Sequence, residues 1–201
     1  MPPLIRPVEP YDLDGLYAVC LRTGDAGEDA TGLFDDPRLL GEVYVGPYMA
    51  MPGGIGLTVV EDGVPSGYAL AAVDTRSFEA VCEERWWPPL RARYPDPGPD
   101  PATADERLIQ MIHDPPRAAD DVVTRYPAHL HLDLLPIVQG MGVGRSLMNL
   151  LLDDLCARGL PGVHLGADPR NRRAIGFYAH LGFATLAERP EVVVMGLRLG
   201  S

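Results

Sequence analysis

Gln139-Gly140-Met141-Gly142-Val143-Gly144 is the stretch on which the reading of this chain turns. Ala128 to Leu135, before it, alternates polar and apolar residues as a strand does. Arg145 to Arg158, after it, carries Leu147, Leu150, Leu151 and Leu155 at helical spacing, read as a core-facing stripe. Three glycines at alternate positions remove three Cβ atoms where the chain passes from strand to helix. Backbone N–H groups can then crowd around an anion at the helix N-terminus. The loop reads as a pyrophosphate site. A Walker A loop needs a lysine, and every one of the 17 Lys+Arg residues is arginine. A Rossmann fingerprint needs a third glycine where Leu147 stands. Arg145 falls in the first helical turn, where the macrodipole disfavours a cation unless an anion lies between them.

A second constellation lies downstream. Asn171-Arg-Arg-Ala174-Ile-Gly-Phe177-Tyr178-Ala-His-Leu-Gly182-Phe183 reads as a short helix. Asp168 or Asn171 can cap its start. Gly182 can end it in the left-handed conformation. Asn171 and Tyr178 are two turns apart and share a face.

Together the two motifs, Q-x-x-G-x-G and N-x-x-A-x-x-F-Y-x-x-x-G-F, resemble the cofactor site of the GCN5-related N-acetyltransferases. The resemblance implies an α/β fold, a mixed central sheet of six to seven strands flanked by helices, and acetyl-CoA as cofactor. It implies that Gly140, Met141, Gly142, Val143 and Gly144 hold the pyrophosphate through their amides, with Gln139 and Arg145 flanking them. Leu134 and Leu135 would meet the pantetheine arm, and Leu134 the thioester carbonyl. Asn171 would bond the pantetheine, and Tyr178 would protonate the departing thiolate. A phenol suits that role, being neutral at pH 7 and still a donor. Arg170, Arg172 and Arg173 are candidates for the remaining phosphate or a solvated basic face.

Length and composition bound the rest. A chain of 201 residues is expected to form one domain with a proper core. A net charge of −11 argues against a nucleic-acid partner. Cys20, Cys82 and Cys156 are scattered and read as reduced, buried or semi-buried thiols. No stretch approaches a membrane span. Met-Pro-Pro-Leu-Ile-Arg at the start has no apolar run, so a cytoplasmic location is the default expectation. The oligomeric state, a homodimer among the options, is not readable.

The pattern predicts strands at Leu4–Val8, Gly56–Glu61, Gly67–Val73, Ala128–Leu135, Gly162–Leu165, Phe183–Ala187 and Val192–Arg198. Helices are predicted at Tyr11–Leu21 and Pro37–Val45. Asp62-Gly63 signals a hairpin. Between the third and fourth strands, about 74–127, lies a helical insertion too long for a simple connection. Arg76–Arg93 and Thr103–His113 are its predicted helices. Pro95 to Pro101, with proline at every second position, is predicted to be an extended linker and not a packed element. One of Trp86 and Trp87 is expected in the core and the other on a pocket wall.

Gly67-Tyr68-Ala69-Leu70 and Val73-Asp74, followed by Phe78, Cys82, Trp87, Pro88 and Tyr94, resemble the acetyltransferase-like domain attached to O-GlcNAcases and its stand-alone bacterial relatives. Leu40-Gly41 and His131-Leu132-Asp133 extend that likeness. These 201 residues carry no hydrolase-like stretch, so glycosidase activity is not expected to carry over.

The fourth predicted strand holds the other chemistry. Period two puts His129, His131 and Asp133 on one face and Leu130, Leu132 and Leu134 on the other. H-x-H-x-D resembles the start of a metallo-hydrolase motif, but Leu134 occupies the place of its last histidine, and no metal is expected. His129 is read as hydrogen-bonded packing. Asp133, next to the residue expected to touch the thioester, is the candidate base or anchor for an amine. Its pKa is expected to rise by desolvation, with His131 the candidate cation opposing the rise. His131, Tyr68 and Trp87 are the further candidates for holding the acceptor. Some acetyltransferases carry a glutamate base where this chain has Gly166. These readings converge on an acetyl-CoA-dependent N-acetyltransferase acting on a small-molecule or peptide amine. A non-catalytic acetyl-CoA-binding or peptide-recognition module is the alternative.

Overall fold

The computed structural model describes residues 3–51 and 54–200. Met1 and Pro2 of the opening stretch lie outside the described residues. Seven strands form one mixed sheet: β1 (Leu4–Pro7), β2 (Gly54–Glu61), β3 (Val64–Ala72), β4 (Ala128–Leu134), β5 (Gly162–Ala167), β6 (Ala184–Glu188) and β7 (Val193–Arg198), in the order β1-β2-β3-β4-β5-β7-β6. The predicted hairpin joins β2 and β3. Asp62 and Gly63 both have positive φ, 50° and 82°, and Glu61 pairs with Val64.

The decisive feature is a fork. β4 and β5 are parallel neighbours, yet they pair only at Ala128–Val163 and His129–His164. β5 then follows β7 along its whole length, while β4 stays with β3 as far as Leu134. Past His129 the facing edges of β4 and β5 are open.

Alternation sorts each strand into two cores. On one face Tyr68, Leu70 and Ala72 pack against α1 (Leu13–Leu21), α2 (Leu39–Tyr44), α3 (Gly46–Ala50) and helices of the insertion. On the other, Ala69, Ala71, Leu130, Val163 and Leu165 pack against the two helices that follow the glycine loop and β5. The helix after the loop, α8 (Val143–Ala157), buries Leu147, Met148, Leu151 and Leu155 completely but leaves Leu150 49% exposed. The predicted stripe therefore includes one residue, Leu150, that faces away from the core. Leu150 lies roughly 115° around the helix from the centre of the buried face, and Met148 takes its place.

The insertion departs from expectation in its details. The predicted helix Arg76–Arg93 is α4 (Thr75–Val81), a π-helical turn (Cys82–Trp86) and α5 (Trp87–Arg93). Pro88 and Pro89 lack N–H donors, so they are accommodated in the first turn of a new segment. Asp74 caps α4 by accepting from the Ser77 N–H at 2.7 Å. α6 (Ala104–His113) opens with a complete capping box between Thr103 and Glu106. α3 and α7 (Asp120–Arg125) were not expected from the pattern, being one turn or little more. The proline-rich stretch is irregular, as predicted, but it is tethered. Gln110 Nε2 donates to Gly98 O at 3.2 Å, and His113 Nε2 lies 2.8 Å from Tyr94 O. Cys20 and Cys82 are buried, whereas Cys156 is exposed on α8.

Candidate active site

α8 (Val143–Ala157) starts two residues before its predicted beginning, directly out of the glycine loop. Gly140 and Gly142 have φ of 75° and 78°, left-handed values that strain any residue with a Cβ. Gly142 is the N-cap and has no side chain to offer the helix. The first helical bond runs from Ser146 N to Gly142 O at 3.0 Å, so the amides of Val143, Gly144 and Arg145 have no partner within the helix. Gly144 is needed for a different reason. A Cβ there would stand 3.0 Å from Leu134 Cδ1 and 3.5 Å from Phe177 Cζ, so glycine lets α8 approach the end of β4.

The end of β4 supplies an open edge. The Leu135 N–H donates to Ser66 O at 2.9 Å on the β3 side. Alternation therefore turns the Leu132 and Leu134 N–H groups toward the fork. Gln139 Nε2 donates to Leu134 O at 2.6 Å and ties the loop to that edge.

The downstream motif forms α9 (Arg172–His180). Of the two predicted caps, Asn171 is the one used, its Oδ1 accepting from the Ala174 N–H at 2.9 Å. That uses one lone pair of its oxygen and leaves both Nδ2 hydrogens for a ligand. The helix ends in a complete Schellman motif. The Phe183 N–H reaches Tyr178 O and the Gly182 N–H reaches Ala179 O, both at 3.0 Å, with Gly182 at φ 94°. Phe183 packs on the Tyr178 ring at 5.6 Å between centroids. The terminal motif thus fixes the position of Tyr178. Burial, and after it the charge of Asp133, pushes the Tyr178 hydroxyl well above the ordinary phenol range, so it holds its proton.

These pieces surround one cavity of about 700 Å³. Leu132, Asp133 and Leu134, the loop residues Gln139, Gly140, Gly142 and Gly144, Arg145, Asn171 and Tyr178 all line it. Met141 is exposed beside it, and Val143 and Leu135 are buried behind it. Arg170 is committed to Asp25 and Asp168, each at 2.8 Å. Arg145, Arg172 and Arg173 also line the cavity and have no salt-bridge partner among the described residues. The loop Thr23–Glu28, which the sequence did not single out, closes the other wall. Ala26 and Gly27 there have positive φ and Asp25 pairs with Glu28.

A second cavity, of about 460 Å³, opens at the base of the fork. β4 contributes His129, Leu130 and His131 to it, and β5 contributes His164, Leu165 and Gly166. Trp87 is buried in the core and also lines this cavity, whereas Trp86 is half-buried against the core with its Nε1–H on Glu42 O at 2.9 Å. Tyr44, Tyr48 and Phe78 complete the aromatic wall. Of these only Phe78 carried a signal in the sequence. The first cavity ends at Leu132 and the second begins at His131, so consecutive residues of β4 link them.

Asp133 is half-buried, and burial raises its pKa, opposed by the hydrogen bond donated by the Tyr68 hydroxyl. Tyr68 is fully buried across the β3–β4 register from it. The expected opposition from a charged His131 is absent. Burial, and after it His164, pushes His131 down to about 4, so the ring is neutral at pH 7. Burial drives His129 and His164 in the same direction. No group of three or more metal-ligating side chains is placed to hold an ion among the described residues. Among those residues no helix is long and apolar enough to cross a membrane.

A mixed sheet forked between two parallel strands, with a glycine loop leading into a free helix N-terminus, defines an α/β protein of the GNAT fold. Residues 34–183 match the acetyltransferase (GNAT) family, and the chain belongs to it. Protein O-GlcNAcase of Rattus norvegicus is 27% identical over 203 residues, covering 97% of this chain and 22% of that protein. Mycothiol acetyltransferase of Thermomonospora curvata is 34% identical over 152 residues, covering 70% of this chain and 48% of that protein. The crystal structure of SsHAT superposes with a TM-score of 0.92 at 34% identity, covering 100% of both chains. The chain therefore spans only part of the length of these curated relatives, 22% of one and 48% of the other.

Proposed function

We propose that this chain is an acetyl-CoA-dependent N-acetyltransferase that passes an acetyl group to a primary amine by direct attack within a ternary complex. The observation that carries the reading is the coincidence, in one cavity, of an unpaired helix N-terminus, an open strand edge and a buried phenol.

The residues fit the cofactor. The unpaired amides of Val143, Gly144 and Arg145, with the α8 macrodipole behind them, would hold its pyrophosphate. Arg145, Arg172 and Arg173 add positive charge around it. The open edge of β4 matches an extended pantetheine arm. When bound, acetyl-CoA supplies an activated acyl carbon and a thiolate leaving group. The Leu134 N–H is a fixed donor for the carbonyl oxygen as charge develops there. Tyr178 keeps a proton on its hydroxyl, ready for the departing sulfur. Asp133 offers a carboxylate to the ammonium form of the acceptor. Holding amine and acyl carbon together at the fork supplies much of the rate. The acceptor enters by the second cavity, which meets the first along β4.

The second reading, a non-catalytic acetyl-CoA-binding or peptide-recognition module, rests on Gly166. It leaves β5 with no carboxylate at the fork, so Asp133 is the only carboxylate on the two forked strands. A CoA-release assay over a panel of primary amines, beside calorimetry with acetyl-CoA, separates the two. Turnover supports the enzyme, whereas tight binding with no turnover on any amine supports the module.

A further inference from the structure

The rings of Tyr44, Tyr48, Phe78 and Trp87 wall the second cavity. Tyr48 and Phe78 lie 4.7 Å apart between centroids, and His129 stands edge-on to them at 5.5 and 5.0 Å. The carboxylates lining the cavity are already matched. Glu79 pairs with Arg76 at 2.6 Å and lies 3.7 Å from Arg117, and Glu83 takes Arg91 through two bonds at 2.5 and 2.8 Å. The histidines are neutral. Such a cavity offers little to a polycation or a phosphate. Its planar walls suit a planar apolar body.

One polar group is left over. Thr75 Oγ1 lies 2.7 Å from Pro127 O and 2.8 Å from His129 Nδ1. A carbonyl oxygen has no hydrogen to give, so the single hydroxyl hydrogen points at Pro127 O. The hydroxyl then accepts from His129 Nδ1–H, and this fixes the tautomer. Nε2 keeps a lone pair, has no protein partner among the described residues and is not a buried orphan. It belongs to a half-buried ring that lines the cavity.

We propose that the second cavity selects a primary amine carried two carbons from an aromatic ring with a hydroxyl or N–H donor at its far end, and that His129 Nε2 reads that donor. The inference rests on the acceptor entering this cavity. The lengths agree. His129 and Asp133 are four residues apart on one face of β4, roughly 13 Å, and a donor-to-amine span of roughly 8 Å with a hydrogen bond of about 2.9 Å at each end fills that distance.

Tyramine, phenethylamine and spermidine test the selection. Wild type should favour tyramine over phenethylamine by about tenfold in kcat/KM, the worth of one satisfied hydrogen bond, and spermidine should be the poorest acceptor. His129→Phe should bring the two aromatic amines to parity with acetyl-CoA affinity unchanged. Thr75→Val keeps the ring and frees its tautomer. It should also reduce the preference and shift the His129 ring ¹⁵N resonances away from the Nδ1–H form, so a failure of His129→Phe to fold does not decide the matter. Calorimetry of tyramine with the CoA-saturated protein separates the two levels of the argument. Tyramine that binds without reacting overturns the transfer reaction and leaves the selection standing. Equal use of the two aromatic amines by wild type, a preference for spermidine, or a tyramine preference that survives in His129→Phe overturns the selection.

Discussion

The Tyr68 hydroxyl donates to Asp133 Oδ2 at 2.5 Å, across a register pair of β3 and β4. Tyr68 is fully buried, so the carboxylate edge lining the cavity is held by a donor that has no other surface to turn to. Burial raises the pKa of Asp133 and this bond opposes the rise. The state of the acid at the fork is therefore set partly from the neighbouring strand.

Tyr68→Phe removes the larger of the two hydrogen bonds that oppose the rise, the other coming from Thr23, and leaves the shape. The pKa of Asp133 should rise further, since the lost hydrogen bond favoured its charged form. The acid limb of the pH–rate profile, where rate rises as Asp133 loses its proton, should move to higher pH, with acetyl-CoA affinity unchanged. A profile that superposes on wild type would assign Tyr68 to packing alone.

Asp133→Asn should weaken acetylation of a cationic amine and also stabilise the fold at neutral pH. A carboxyl with a folded pKa above its unfolded value of 3.8 is penalised once pH rises past the folded value, because the native state must then hold a desolvated charge. The gain in Tm over wild type should vanish at low pH, where both states are protonated. Melting curves from about pH 3 to about pH 8 check the sign.

The neutral histidines give the opposite trend with pH. His131 is held at about 4 against 6.5 when unfolded, so the unfolded chain takes up protons that the native state refuses. Stability should fall as pH drops from about 6.5 to about 4, by roughly 3 kcal/mol for His131, with His129 and His164 adding in the same direction. Urea midpoints measured at successive pH values should show the loss, and His131→Phe should flatten it.

Acetyl-CoA should raise Tm, by the equivalent of about 2.7 kcal/mol at a hundred times its dissociation constant. Gly142→Val should abolish the rise, because a Cβ at φ 78° forces the loop out of its conformation. Gly144→Val should act by pushing Leu134 aside, and should disturb the β4 edge as well. Thermal shifts with and without cofactor distinguish these variants from unfolding.

Tyr178→Phe should lower turnover by about 10²- to 10⁴-fold and leave the acetyl-CoA dissociation constant nearly unchanged. Equal turnover in the two proteins would make Tyr178 a packing residue of α9.

Much of this was legible in the residues themselves, because local rules govern it. Glycines at left-handed positions, an Asn cap three residues before Ala174 and a Gly–Phe pair that closes a Schellman motif depend on a few neighbouring backbone groups. The alternation of β4 sorted its histidines from its leucines for the same reason. The misreadings arose where neighbours far along the chain decide. Leu150 fits the helical period yet points outward, because the sheet lies on the side of Met148. His131 reads as a cation and is neutral, because Tyr44 and Tyr48 bury it.

The sequence by itself determined the glycine loop, the two helices that follow the forked strands and the row of polar groups along β4. Each follows from periods and φ preferences within a dozen residues. Only the tertiary structure decided where β4 and β5 part, that Asp133 meets Tyr68, that Thr75 orients His129 and that the Thr23–Glu28 loop closes the first cavity. Those relations join segments 35 or more residues apart, and no local preference specifies which donor will face which acceptor once the chain has packed.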